Sequence, residues 1–167
     1  SGASDVIVLG AHYDHLGFGD SNSLSPGTRA IHHGADDNAS GTAALLEVAR
    51  QLQKEGPFPR TILFIAFAGE ERGLLGSGYY TANPLVPLEQ TAAMVNLDMV
   101  GRLVDDKLII HGTGTGGNFD ELVDRLASNA GFSVAKEPGG YWPSDHSSFY
   151  ARKIPVLHVF TGSHTDY

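Results

Sequence analysis

The chain has 167 residues, enough for one folded unit with a sizeable core, and its 41% apolar and 18% charged content excludes a disordered or fibrous chain. A formal charge of −8 without any Lys/Arg run excludes a nucleic-acid surface, so no nucleic acid is expected as a partner. The absence of cysteine rules out disulfides and thiolate zinc sites, and no apolar stretch approaches the ~20 residues of a membrane helix.

The opening Ser1-Gly-Ala-Ser stands just before a buried strand, which reads as a cut domain, so a missing leader says little about location. Residues 6–9 form a continuous apolar run, expected as a strand, and His12, Asp14 and His15 follow it. A long Gly/Ser/Asn/Pro-rich loop over 17–34 comes next; long irregular loops in compact domains are usually functional. Asp36 and Asp37 follow the loop. A helix is expected over 40–54, where Ala43, Leu45, Leu46, Val48, Ala49 and Leu52 make an apolar stripe that Gly56-Pro57 stops.

The run 62–67 is the next strand and ends at Glu70-Glu71. A helix over 74–81 is closed by Asn83-Pro84, a strand over 93–97 leads to Asp98, and another strand covers 108–110. Gly112 to Gly117 lacks a Walker lysine and reads as a turn. A helix over 118–129 carries Phe119, Leu122, Val123 and Leu126 on one face, with Gly131 as its cap. A short helix over 144–150 with Ser144 as N-cap precedes a last strand at 156–160. Continuous apolar strands are those covered on both faces. Strands alternating with helices give the fold class α/β, a three-layer α/β/α arrangement around a mostly parallel, mixed sheet. No repeat or internal boundary appears, so residues 1–167 read as a single domain.

Open α/β sheets bind ligands at the carboxyl ends of their strands. The acidic and imidazole residues of this chain gather at such ends, which is the pattern of a metal site. Asp14, two residues past His12, is expected to take the other imidazole N–H and orient the ring, while His15 falls on the opposite face and reads as structural. In the Asp36-Asp37-Asn38 segment, Asp37 or Asn38 is expected to cap the following helix, which leaves Asp36 free to coordinate metal and bridge two ions. Asp98 is either a ligand or a turn residue bonded to its own loop. Adjacent carboxylates at Glu70-Glu71 repel unless a cation or proton relieves them. One can bind an ion while the other accepts a proton from water and passes it to a leaving amine. Oxygen and imidazole donors without thiolate suit Zn²⁺, with Co²⁺ or Mn²⁺ as alternatives. His32, His33, His111 and His158 carry no such signal. Asp145-His146 reads equally as a helix start or as pocket lining, and Tyr141-Trp142 as a pocket wall or a surface pair.

Gly10-Ala-His12-Tyr-Asp14-His15-Leu-Gly17, Gly34-Ala-Asp36-Asp37-Asn38-Ala-Ser-Gly41, Ala68-Gly-Glu70-Glu71-Arg-Gly-Leu-Leu-Gly-Ser77 and Asn96-Leu-Asp98-Met-Val-Gly101 together resemble the M28 zinc aminopeptidases. Ser144-Asp145-His146 and Phe160-Thr161-Gly162 continue the pattern in order. The resemblance implies a dizinc exopeptidase that removes residues from peptides with a free N-terminus. In it His12 and Asp98 would hold one zinc, Glu71 would help hold the other, and Asp36 would bridge them through a cis linkage to Asp37. Glu70 would be the general base and then the acid, and Asp14 would orient His12.

The family's last ligand is a His after an Asp-Tyr pair. Here the sequence stops at Asp166-Tyr167, so a core fragment is expected, with one zinc position weak and Tyr167 as an oxyanion partner in the intact protein. Secretion or a periplasmic location is implied by resemblance alone. The alternatives are glutaminyl cyclisation on the same scaffold and a binding homologue with an impaired site. His12-Tyr-Asp14-His15 also resembles part of the metallo-β-lactamase signature, but Gly10 stands where its first His belongs.

Overall fold

Six strands form one sheet in the computed structural model, which describes residues 5–19, 22–25 and 27–166. They are β1 (Val6–His12), β2 (Thr61–Phe67), β3 (Thr91–Leu97), β4 (Lys107–His111), β5 (Ser133–Glu137) and β6 (Val156–Phe160), in the spatial order β2-β1-β3-β6-β4-β5. β1 pairs in parallel with β2 and β3, and β3 with β6. β4 runs antiparallel to β6 and carries β5 parallel to itself at the edge, so the sheet is mixed, as expected. The helices are α1 (Gly41–Glu55), α2 (Leu75–Ala82), α3 (Phe119–Ala130) and α4 (His146–Tyr150). Among the described residues no helix is long and apolar enough to cross a membrane.

One face of the sheet packs on α2 and α4. Val6, Val8, Phe67, Met94 and Val156 meet Tyr80, Phe149 and Ile154 there in a single buried cluster. Phe149 is fully buried, edge-on to Phe67 at 6.0 Å and stacked on Tyr80 at 5.7 Å. Truncating such a residue to alanine costs about 3–5 kcal/mol. Gly10, central in β1, has no room for a side chain, because a Cβ there would stand 2.5 Å from the Phe67 ring and 2.9 Å from Met94. α1 covers the opposite face through Leu45.

Three of the four expected helices lie within a residue of their expected bounds. Gly131 adopts φ 79° and ends α3 as a left-handed cap. The fourth starts later, at His146, and Ser144 is not its N-cap, since that hydroxyl bonds Asp98 instead. β5 was not legible as an apolar run. It is an edge strand with alternating exposure, and its Lys136 pairs with Asp120 and Asp124 of α3. The parallel strands β1, β2, β3 and β6 end on one rim, and the loops that leave them bring His12, Glu70, Glu71 and Asp98 together.

Candidate metal centre

His12 closes β1 and is fully buried. Its Nδ1–H donates to the main-chain oxygen of Asp14 at 3.1 Å. The Asp14 carboxylate, expected to orient the ring, stands farther off at 3.8 Å and instead accepts the Glu70 backbone N–H at 3.2 Å. Asp14 therefore holds the imidazole through its backbone, and its side chain fixes the turn that carries Glu70. The other ring nitrogen, Nε2, faces Asp37 at 3.1 Å, Asp98 at 3.3 Å and Glu70 at 4.0 Å.

Both nitrogens thus look at oxygen acceptors, while a neutral imidazole has one N–H to give. Burial alone would lower the pKa of His12. The bonds to Asp37 and Asp98 and the charges of Asp98 and Glu70 outweigh it and push the pKa up to about 11. The pocket calls for positive charge at the Nε2 position, as a proton or as a metal ion.

The donor sets fit a metal. His12, Asp37 and Asp98 offer ligand atoms within 4.8 Å of one another, and so do His15, Asp37 and Glu71. Asp37 belongs to both sets. Oxygen and imidazole donors without thiolate are the chemistry of zinc, and three protein ligands per ion is the usual catalytic minimum.

Two expectations are corrected here. Asp36 does not face the cluster: its Oδ1 accepts the Gly101 N–H at 2.7 Å and its Oδ2 pairs with His164 at 2.9 Å. The cis linkage also falls one residue later, between Asp37 and Asn38. Non-helical torsions at Asp37 (φ −104°, ψ 94°) and Asn38 (φ −135°, ψ 44°) bend the segment, and the neighbouring carboxylates go to different partners. His15, expected to be structural, bonds Glu71 at 2.8 Å. The strand stops at His12, so face alternation no longer governs residue 15.

The bent segment is fastened by Asn38, which is 1% exposed. Its Nδ2 donates to the Leu97 carbonyl at 2.9 Å, and its Oδ1 accepts the N–H groups of Gly41 at 2.9 Å and Met99 at 3.2 Å. One side chain thereby locks the Asp37 loop to the turn that bears Asp98. An Asx residue before a helix is the sequence signal for such a cap. Ser144 gave no such signal. Its hydroxyl donates to Asp98 Oδ2 at 2.7 Å, which leaves Oδ1 facing His12.

Glu70 and Glu71 sit in the tight turn after β2, where Gly69 takes φ 72°. Burial pushes the Glu70 carboxyl up to about 8, with Asp98, Asp145 and Glu71 adding to the shift and His12 opposing it. Asp145 is buried behind the rim and is raised to about 6 by burial, against the pull of Ser77 and His12. Tyr167 lies outside the described residues.

A cavity of about 510 Å³ adjoins this rim. Asp37, Glu70, Glu71 and Asp98 line it together with Met99, Trp142, His158 and Phe160. Tyr141 is 66% exposed and is not among the lining residues.

The fold and the donor sets define an α/β protein with a candidate metal centre. The chain belongs to Peptidase family M28, whose family model matches residues 1–167. It is 43% identical over 163 residues to aminopeptidase YwaD of Bacillus subtilis, covering 95% of this chain and 32% of that protein. The structure of BSAP, a zinc aminopeptidase from Bacillus subtilis, superposes with a TM-score of 0.75 at 33% identity, over 95% of this chain and 36% of that one. Porphyromonas gingivalis glutaminyl cyclase superposes with a TM-score of 0.77 at 23% identity, over 98% and 61% of the two chains, a likeness of fold alone. The chain spans about a third of the length of the two aminopeptidases.

Proposed function

We propose that the protein is a zinc aminopeptidase that hydrolyses the N-terminal peptide bond of peptides. The observation that carries this reading is Asp37, shared by two donor sets beside a buried carboxyl that titrates near neutrality. His12, Asp37 and Asp98 would hold one ion, and Asp37, Glu71 and His15 a second. When bound, the ions supply Lewis acidity toward the scissile carbonyl and lower the pKa of water toward ~7. Asp14 keeps the His12 ring turned toward the rim through its carbonyl. Glu70 takes a proton from the attacking water and returns it to the leaving amine; its pKa of about 8 suits an exchange near neutral pH. The acidic rim receives the substrate's free α-ammonium group. The family membership and the names of the aminopeptidase relatives support the reaction class.

Glu70→Gln is expected to lower release of p-nitroaniline from Leu-p-nitroanilide by at least about 100-fold. Zinc content measured by atomic absorption should stay at the wild-type level. A variant that keeps its activity removes Glu70 from the base role. On an N-terminal Gln peptide, ammonia release without release of the next residue would favour glutaminyl cyclisation instead.

A further inference from the structure

A second cavity, of about 420 Å³, also reaches the candidate metal centre, and its size falls in the roughly 300–1,000 Å³ of ligand pockets. Asp37 is the one described residue that lines both cavities. The two differ in charge. Asp37, Glu70, Glu71 and Asp98 bring four carboxylates to the first, and among the described residues no Lys or Arg lines it. Arg102 lines the second, in company with His15 and Asp37 of the donor set that includes Glu71.

The backbone carries Arg102 close to the centre. Its neighbour Gly101 donates its N–H to Asp36 at 2.7 Å, and Asp36 directly precedes Asp37. The main-chain N–H of Arg102 donates to the Thr161 hydroxyl at 3.3 Å. The guanidinium bonds Asp166 through one terminal nitrogen at 2.6 Å. Both partners line the cavity and stay open to solvent, their side chains being 48% and 68% exposed. Exposed pairs of this kind add little stability, so another carboxylate can displace Asp166 readily. The other two acids of the cavity are engaged elsewhere: Asp36 with Gly101 and His164, Asp37 with His12.

A short peptide has an ammonium group at one end and a carboxylate at the other. With the ammonium among the four carboxylates of the first cavity, the leaving residue can pass Asp37 into the second. We propose that Arg102 is a specificity-determining residue that takes the C-terminal carboxylate of short peptides in place of Asp166, so that di- and tripeptides with a free C-terminus are preferred over the same peptides amidated there. Arginine suits this task because its planar fork can hold both oxygens of a carboxylate. An extended chain advances ~3.3–3.6 Å per residue, so a long substrate carries its carboxylate past the cavity. The inference rests on the aminopeptidase reading and names the substrate class for it.

The test compares kcat/KM of the zinc-loaded protein for Leu-Gly and Leu-Gly-Gly with that for the same peptides as C-terminal amides. The free acid should be favoured about tenfold at one length or both, and added salt should shrink the preference. Arg102→Gln should bring the acid/amide ratio toward one. Arg102→Lys, which keeps the charge without the fork, should recover part of it. Asp166→Asn removes the competing carboxylate and should raise the ratio, a direction that general damage to the fold does not produce. Three results overturn the inference: no preference at either length, a ratio that Arg102→Gln leaves unmoved, or one that fails to rise in Asp166→Asn. Each leaves the aminopeptidase reading standing if the wild type still cleaves Leu-p-nitroanilide. Failure of the zinc-loaded wild type to cleave any of these substrates overturns the aminopeptidase reading and the inference with it.

Discussion

His12 and His146 are equally hidden from solvent, yet the first is pushed up to about 11 and the second down to about 3. Burial disfavours a charged imidazole at both positions. At His12 the carboxylates of Asp37, Asp98 and Glu70 reverse that preference. Around His146 the neighbours are other rings, His158 stacked at 4.4 Å with His111 beyond it at 5.4 Å from His158, and His111 adds to the lowering. Partners, not depth, decide which state a hidden histidine adopts. The acidic cluster around His12 therefore favours a cation, and the wall of stacked imidazoles, His146 with His158 and His111, excludes charge.

The largest expected effect separates the rim from everything else. Asp37→Ala removes a donor from both sets at once, so zinc content should collapse and turnover fall by more than about 100-fold, a loss that even outer partners of a ligand can cause. Loss of only one equivalent of zinc would show that Asp37 is not shared. The wall is tested by acid. A histidine held neutral in the fold but free to protonate when unfolded withdraws stability as pH falls through 6.5, and the loss continues to about pH 3 for His146. Between pH 7 and pH 5 the penalty is on the order of 2 kcal/mol per such histidine. His146→Phe should narrow the gap between urea midpoints at those two pH values; an unchanged gap would mean that His146 protonates in the folded protein.

The smallest effect concerns Asp36. Asp36→Ala should lower stability by about 1 kcal/mol through the lost Gly101 bond, with zinc content unchanged. Emptying of the metal positions by this substitution would reassign the bridge to Asp36.

The residues that were legible in the sequence share a physical trait. β1, β2, β3 and β6 read as continuous apolar runs, although β2, at the edge of the sheet, fully buries only Phe67. The rim residues His12, Glu70, Glu71 and Asp98 read out because each follows such a run. β5 hid because Ser133-Val-Ala-Lys-Glu137 owes its strand state to pairing with β4 rather than to its own pattern. Asp36 and Asp37 could not be told apart from spacing, because backbone torsions at 37 and 38 choose between them. His15 lies past the end of β1, where alternation no longer predicts which way a side chain faces, and it bonds Glu71. Ser144 and Asn96 act through contacts 46 and 48 residues away, which no local window contains.

The position of β6 has a consequence for biosynthesis. It is the last of the six strands to be made, yet it sits between β3 and β4 and is the strand that joins them. A chain that lacked residues 156–160 would have nothing to join β2-β1-β3 to β4-β5, and the edges of β3 and β4 that β6 covers would be open to wrong partners. The strand that seals those edges also delivers His158, so the cavity acquires its neutral wall at the moment the sheet closes.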